Sequence, residues 1–224
     1  MIPWVLLGET RVATDGKRLT LHQRDSEFSI RIDGGELMNS RSHGSEEKLA
    51  ELACARLAGR DDAQVLIGGL GMGFTLAAAL RQLGAAARLT VAELVPEVVA
   101  WNRGPLAELA GRPLSDPRVT VCEGDVARMI KARPQAYDAI LLDVDNGPEG
   151  LTHTNNDWLY GSDGLSAAYA ALRPGGVLAV WSAARDRAFT ARLRKAGFEV
   201  EEARVRARGS KGARHIIWLA RRPG

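Results

Sequence analysis

The 224-residue sequence predicts an α/β fold: a mostly parallel sheet covered by helices, closed by an antiparallel C-terminal hairpin and preceded by a small N-terminal β-hairpin segment. Three observations carry that expectation. From Val65 onward, strand-like apolar runs alternate with helical ones, as successive strand–helix–strand units require. The last two strand-like runs have no helix between them. The opening segment instead alternates apolar and polar residues at period two, the pattern of half-buried antiparallel strands.

In chain order, "RLTLHQR" and "EFSIRID" read as strands, set off by turn signals at Asp15-Gly16 and Asp33-Gly34-Gly35. Ser45, followed by Glu46 and Glu47, predicts an N-cap with two acids in the positive first turn of a helix through "KLAELACARL". The alternating region then runs "QVLIGG", "FTLAAALRQLG", "LTVAEL", "PEVVAWNRG", "VTVCEG", "DVARMIKA", "YDAILLDV", "GLSAAYAALR" and "GVLAVWSA". After the helix "AFTARLRKAG", the strands "FEVEEARVRAR" and "ARHIIWLA" meet at the turn "GSKG". We divide the chain into an N-terminal β segment, 1–42, and an α/β domain, 43–224.

Composition narrows the classes. With 46% hydrophobic and 25% charged residues the chain is globular in character, neither disordered nor fibrous. No apolar run reaches the roughly 18 to 20 residues that span a bilayer, and "MIPWVLLGETR" lacks a basic lead and long apolar core, so the expected location is cytoplasmic, away from membranes. Cys54 and Cys122 have no metal-ligand spacing, nor do His22, His153 and His215, so no metal is expected. The net charge of +3 is uneven: residues 185–224 carry 12 Lys/Arg against 4 Asp/Glu, leaving −5 on the rest. Alternate spacing in "ARVRAR" would put Arg204, Arg206 and Arg208 on one strand face. That face reads as a solvated surface before an anion site, and nucleic acid is the less expected partner, since no aromatic residues interleave for base stacking.

The chemistry centres on "VLIGGLGMGF". Gly69, Gly71 and Gly73 stand at a strand-to-helix turn, where a missing Cβ lets backbone approach a ligand closely. The dinucleotide fingerprint G-x-G-x-x-G would need glycine at 74, where Phe74 stands, so a nucleoside without pyrophosphate fits better than a nicotinamide cofactor. Acids end the next three strands. Glu93 is spaced to accept both hydrogen bonds of a ribose diol, Asp125 to meet an adenine amino group or to cap a helix, and Asp143 to face the ligand crevice.

The closing hairpin is the pattern of the Rossmann-like class I methyltransferase fold. Within that class, "VLIGGLGMGF", "VAELVPEVV", "DPRVTVCEGD", "YDAILLDVDNGPEGL" and "ALRPGGVLAVWS" resemble the polyamine aminopropyltransferases, the spermidine synthase family, over about residues 28 to 182. The resemblance implies that Gly69, Gly71 and Gly73 line an S-adenosyl donor, Glu93 holds its ribose, Asp125 touches adenine and Asp143 is the catalytic aspartate. Met72 stands where that family has an aspartate contacting the aminopropyl end of decarboxylated S-adenosylmethionine. Asn146 replaces the second aspartate of a D-x-x-D-P segment, with Asp145 adjoining, and Ser45 replaces a tyrosine near the first helix. "LTHTNNDW" reads as an insertion, and a homodimer is a family-level expectation.

The acceptor is expected to be a small molecule, cationic or amino-acid-like. Asp143 would orient and deprotonate it, with Asp145 beside it and His43, in a polar loop, as a second candidate base. Glu46, Glu149 and Asp157 would surround a cation, and Trp158 and Tyr160 would wall the pocket. Glu46 reads equally as a helix-capping acid and His43 as a surface residue. The favoured reading is methyl transfer from S-adenosylmethionine, because Met72 removes the anion that marks the decarboxylated donor. Aminopropyl transfer to a polyamine is the alternative, and a non-catalytic nucleoside- or RNA-binding module the alternative from another class.

Overall fold

The computed structural model describes residues 2–144, 157–208 and 211–224, apart from the side chains of Asp157 and Lys211. Asp145 and Glu149, like His153, lie outside the described residues. The N-terminal segment forms a four-stranded antiparallel meander, β1 (Val5–Arg11), β2 (Arg18–Arg24), β3 (Glu27–Ile32) and β4 (Gly35–Asn39), more than the hairpin the sequence suggested. Next come α1 (Gly44–Ala55), β5 (Gln64–Gly68), α2 (Phe74–Gln82), β6 (Arg88–Glu93), α3 (Pro96–Arg103), β7 (Val119–Glu123), α4 (Val126–Ala132) and β8 (Tyr137–Leu142). The chain closes with α5 (Asp157–Tyr160), α6 (Ser162–Ala171), β9 (Leu172–Ser182), α7 (Arg187–Lys195), β10 (Glu199–Arg208) and β11 (Lys211–Arg221).

The large sheet has the order β10-β11-β9-β8-β5-β6-β7. β5 through β9 pair in parallel, and β11 is antiparallel to both β9 and β10. The order reverses beside β5, which has β6 on one side and β8 on the other; the crevice beyond the carboxyl ends of these strands is where open α/β sheets hold ligands.

Period-two alternation divides the core between the two faces. Val65, Ile67, Ala139, Leu141, Ile217 and Leu219 join a cluster with α1, α2, α3 and the N-terminal sheet. Leu66, Ile140, Leu142, Ile216 and Trp218 join a second cluster with α4, α6 and α7. Val12, Leu19, Leu21 and Ile30 of the N-terminal segment belong to the first cluster, so that segment is bound to the large sheet by shared apolar contact. Gly8 has a packing reason: a Cβ there would lie 2.6 Å from Trp101 Nε1, so the α3 indole sits directly against β1. At the opposite end of the large sheet, buried Asp138 accepts from Arg60 (2.5 Å), Arg173 (2.9 Å) and the Gln64 backbone N–H (2.8 Å). A carboxylate so deep in the core requires this degree of pairing.

Two local expectations are corrected. α1 begins at Gly44 with His43 at the cap position and no side-chain cap, so Ser45 is an interior first-turn residue whose hydroxyl is used elsewhere. β10 and β11 slip register between Arg206 and Arg208, which breaks the strict alternation on which a single arginine face depended. Arg208 Nε donates to Ser42 Oγ (2.9 Å) and is thereby tied to the α1 approach loop. Among the described residues no helix is long and apolar enough to cross a membrane.

Candidate functional site

The three glycines build the floor of the site. Gly69, Gly71 and Gly73 all have positive φ, 88°, 52° and 84°, which turns the chain sharply out of β5 and into α2. The turn is pinned by Gly69 N–H to Ala92 O (2.9 Å) and Gly73 N–H to Leu70 O (2.8 Å). Asn102 from α3 donates to Gly71 O (2.8 Å). Glu93, at the end of β6, completes the support: its two oxygens accept from Leu70 N–H and Val95 N–H, each at 2.9 Å. Burial nevertheless holds its carboxyl above the usual carboxylate range, against the pull of those backbone donors.

One cavity joins Gly69, Gly71, Glu93 and Asp125 to Asp143 and Glu46. Asp125 both caps α4, accepting from Ala127 N–H (2.8 Å), and lines this cavity. The N-terminal sheet supplies an apolar wall of Val12, Leu19, Ile30, Ile32 and Met38, and Trp181 at the end of β9 closes another side. The cavity is therefore lined by the glycine-turn backbone, four carboxylates and an apolar wall. Nothing in it resembles a metal centre: no group of three or more metal-ligating side chains occurs among the described residues.

The carboxylate pair is the electrostatic feature of the site. Glu46 is pushed up to about 7, first by burial and then by the negative charge of Asp143. Asp143 is pushed up to about 6 by burial, opposed by the Thr75 hydroxyl, which donates to Oδ2 at 2.5 Å. Two anions facing one low-dielectric cavity cannot both ionise cheaply, and they share protons near neutrality. Without a cationic ligand the pair costs stability as it ionises. Both carboxyls titrate above their ordinary values of 4.5 and 3.8, so the contribution is fully present below about pH 4 and is lost as pH rises through 7. Calorimetric unfolding should show wild type losing on the order of 2 kcal/mol more than Glu46→Gln between pH 5 and pH 8. Parallel pH curves for the two proteins would refute the pairing.

The remaining expected residues are placed as follows. Met72, between two left-handed glycines, turns into the core and is fully buried, so it does not line the cavity. Gly73 faces Asn102 and Pro113 rather than the cavity. His43 stacks on Phe74 at 4.1 Å between ring centroids, with Nδ1 3.6 Å from Glu47, also away from the cavity lining. Trp158 lies under Lys131 Nζ (3.8 Å to the ring centroid), so cation–π packing occupies the ring on the α4 side. Tyr160 is buried, and its hydroxyl donates to Val144 O (3.2 Å), bracing the chain immediately after Asp143 rather than walling the pocket. Asp157 begins α5.

Thr75, Met38 and the apolar N-terminal wall were not singled out as site residues on sequence grounds. Thr75 lies one residue into α2, yet its neighbour Asp143 is 68 positions away.

A family model for the spermine/spermidine synthase domain matches residues 43–186. Putrescine N-methyltransferase 2 of Nicotiana attenuata is 37% identical over 116 residues, and putrescine N-methyltransferase 3 of Nicotiana tabacum is 38% identical over the same length. Each match covers 51% of this chain but 29% of the plant protein, so the chain spans under a third of the length of these relatives. In three dimensions, spermidine synthase from Thermotoga maritima superposes with a TM-score of 0.75 at 17% identity, covering 96% of this chain and 72% of that one. A spermidine synthase solved in complex with the transition state analogue AdoDATO gives 0.78 at 18% identity, covering 96% and 73%. At those identities the structures speak to the fold.

Proposed function

The chain belongs to the spermine/spermidine synthase domain family, and from that premise we propose that it transfers a methyl group from S-adenosylmethionine to a small amine or amino-acid-like acceptor. The observation that carries the reading is the single cavity that a glycine turn and two strand-end acids share with the carboxylate pair. The donor end fits a nucleoside: Gly69 and Gly71 keep the floor free of side chains, Glu93 meets a ribose diol and Asp125 an adenine amino group. S-adenosylmethionine, when bound, supplies an electrophilic carbon attached to sulfonium. The protein's part is to align the acceptor nitrogen, exclude water with the apolar wall, and take the proton on Asp143 or Glu46.

Two points support methyl over aminopropyl transfer. Met72 puts a core thioether where the family's amine-binding aspartate would stand, and the plant relatives are named putrescine N-methyltransferases. One observation favours the alternative: the Glu46–Asp143 pair is an anion that an aminopropyl ammonium could also use. Calorimetric titration separates them. We expect S-adenosylmethionine and S-adenosylhomocysteine to bind at least tenfold tighter than decarboxylated S-adenosylmethionine and methylthioadenosine. The reverse preference would establish the aminopropyl donor, and binding of none would remove the transferase reading.

A further inference from the structure

A hydrogen-bonded chain leads from the carboxylate pair to residues that do not line the cavity. Ser45 Oγ donates to Glu46 Oε2 at 2.8 Å, and His215 Nδ1 lies 2.9 Å from the same Ser45 oxygen. Glu46 lines the cavity; Ser45 is fully buried and His215 half-buried, and neither lines it. His215 is only partly buried, so part of its ring stands at the surface. The Trp181 ring meets the imidazole edge to face at 4.7 Å and fixes its orientation. The three residues come from α1 and β11, 170 positions apart for the Ser45–His215 pair, so the contact is a product of the fold and not of local sequence.

We propose that Glu46, Ser45 and His215 form a proton exit from the reaction site, with Ser45 as the relay and His215 as the port to solvent. The proposal rests on the transfer reaction proposed above. Alkylation of a neutral amine forms an N–C bond as the S–C bond breaks with its electron pair left on sulfur, and one surplus proton remains on the product nitrogen. That proton passes to the carboxylate pair, in which Asp143 is held by the Thr75 hydroxyl. From protonated Glu46 it moves to Ser45 Oγ as the Ser45 hydroxyl proton moves to His215 Nδ1. His215 then releases its Nε2 proton to water. Atoms and charge balance in one passage, which leaves the ring as the Nδ1–H tautomer, and re-equilibration of the ring with solvent restores Nε2–H before the next turnover.

The relay has two hydrogen-bond directions, and they require opposite imidazole tautomers. With Glu46 ionised, Ser45 donates to Glu46 and accepts from His215 Nδ1–H. With Glu46 protonated, Glu46 donates to Ser45 and Ser45 donates to Nδ1, so the proton of His215 resides on Nε2. The charges acting on Glu46 are Asp143 at the end of β8 and Glu47 beside it on α1. Around His215 stand Ser45 from α1, Trp181 from β9 and Val205 opposite on β10, with Arg204, Arg206 and Arg214 at flanking positions of the hairpin. Burial lowers the His215 pKa, which favours the neutral ring.

Nitrogen-15 NMR of histidine-labelled protein between pH 6.5 and 8.5, with His215 assigned by His215→Ala, reads the tautomer directly and needs no substrate. We expect wild type to swap from Nε2–H to Nδ1–H as pH rises, and both Glu46→Gln and Ser45→Ala to abolish the swap. A tautomer that is constant in wild type, or that still swaps in Glu46→Gln, overturns the relay. In turnover with S-adenosylmethionine and putrescine, His215→Ala should lower kcat at least tenfold and leave both KM values within twofold. Added imidazole should restore its rate in proportion to concentration. A loss that imidazole does not relieve, or that falls on KM, overturns the relay as well. Failure of the donor titration overturns the transfer reading instead, so the two are distinguishable.

Discussion

Asp143→Asn is expected to lower turnover about a thousandfold while leaving donor affinity within a few-fold of wild type. The substitution is nearly isosteric, and an asparagine carbonyl oxygen can still accept from the Thr75 hydroxyl that now holds Oδ2. What disappears is the proton acceptor at the end of β8 and half of the anionic pair. The Glu46 carboxyl, relieved of a neighbouring negative charge, should then titrate lower than its present value of about 7. Steady-state kinetics read the first effect, calorimetry with S-adenosylhomocysteine the second. A variant that binds the donor and turns over normally would take Asp143 out of the chemistry. A variant with unaltered activity in cells would favour the non-catalytic binding module.

Most of the parallel sheet was legible because its signals are local. Apolar runs such as "YDAILL" and "QVLIG" are bounded by turn residues, and the absence of a helix between "FEVEEARVRAR" and "ARHIIWLA" fixed the antiparallel close. The donor end was legible for the same reason: glycines at alternate positions and acids at strand ends are written in short stretches, and Gly69, Gly71, Glu93 and Asp125 do line one cavity. The acceptor end was legible only in part: Asp143 and Glu46 were both expected there, but it is assembled from distant segments. Glu46 could be read as a helix-capping acid from its own neighbourhood; only the fold sets it against Asp143 and makes it a partner in proton sharing. Ser45 was assigned to capping, and its actual neighbour His215 lies across the chain. Met72 illustrates the opposite error of position: a residue inside a ligand loop need not face the ligand when the flanking backbone is left-handed.

The glycine turn yields the second large effect, through a contrast within one loop. Gly69→Ala is expected to weaken donor binding at least a hundredfold, whereas Gly71→Ala should cost tenfold or less. Both positions have positive φ, where an L side chain costs about 1–2 kcal/mol, so backbone strain alone does not separate them. Their surroundings do. A Cβ on Gly69 would lie 2.4 Å from the Asp143 carbonyl oxygen and 3.1 Å from its carbon, which is backbone held in place by Asp143 N–H to Gly68 O at 2.9 Å. Relieving that overlap must separate the glycine turn from the end of β8, displacing the donor floor and Asp143 together. A Cβ on Gly71 would instead meet the Met38 thioether, 3.0 Å from Cε and 3.1 Å from Sδ, at the flexible end of a side chain that can swing aside. Calorimetry with S-adenosylhomocysteine on both variants, with thermal unfolding to confirm that each is folded, tests the contrast. Equal losses would mean that the turn acts only through its backbone conformation; a larger loss for Gly71→Ala would mean that the donor rests on Gly71 and that the β5–β8 junction is free to adjust.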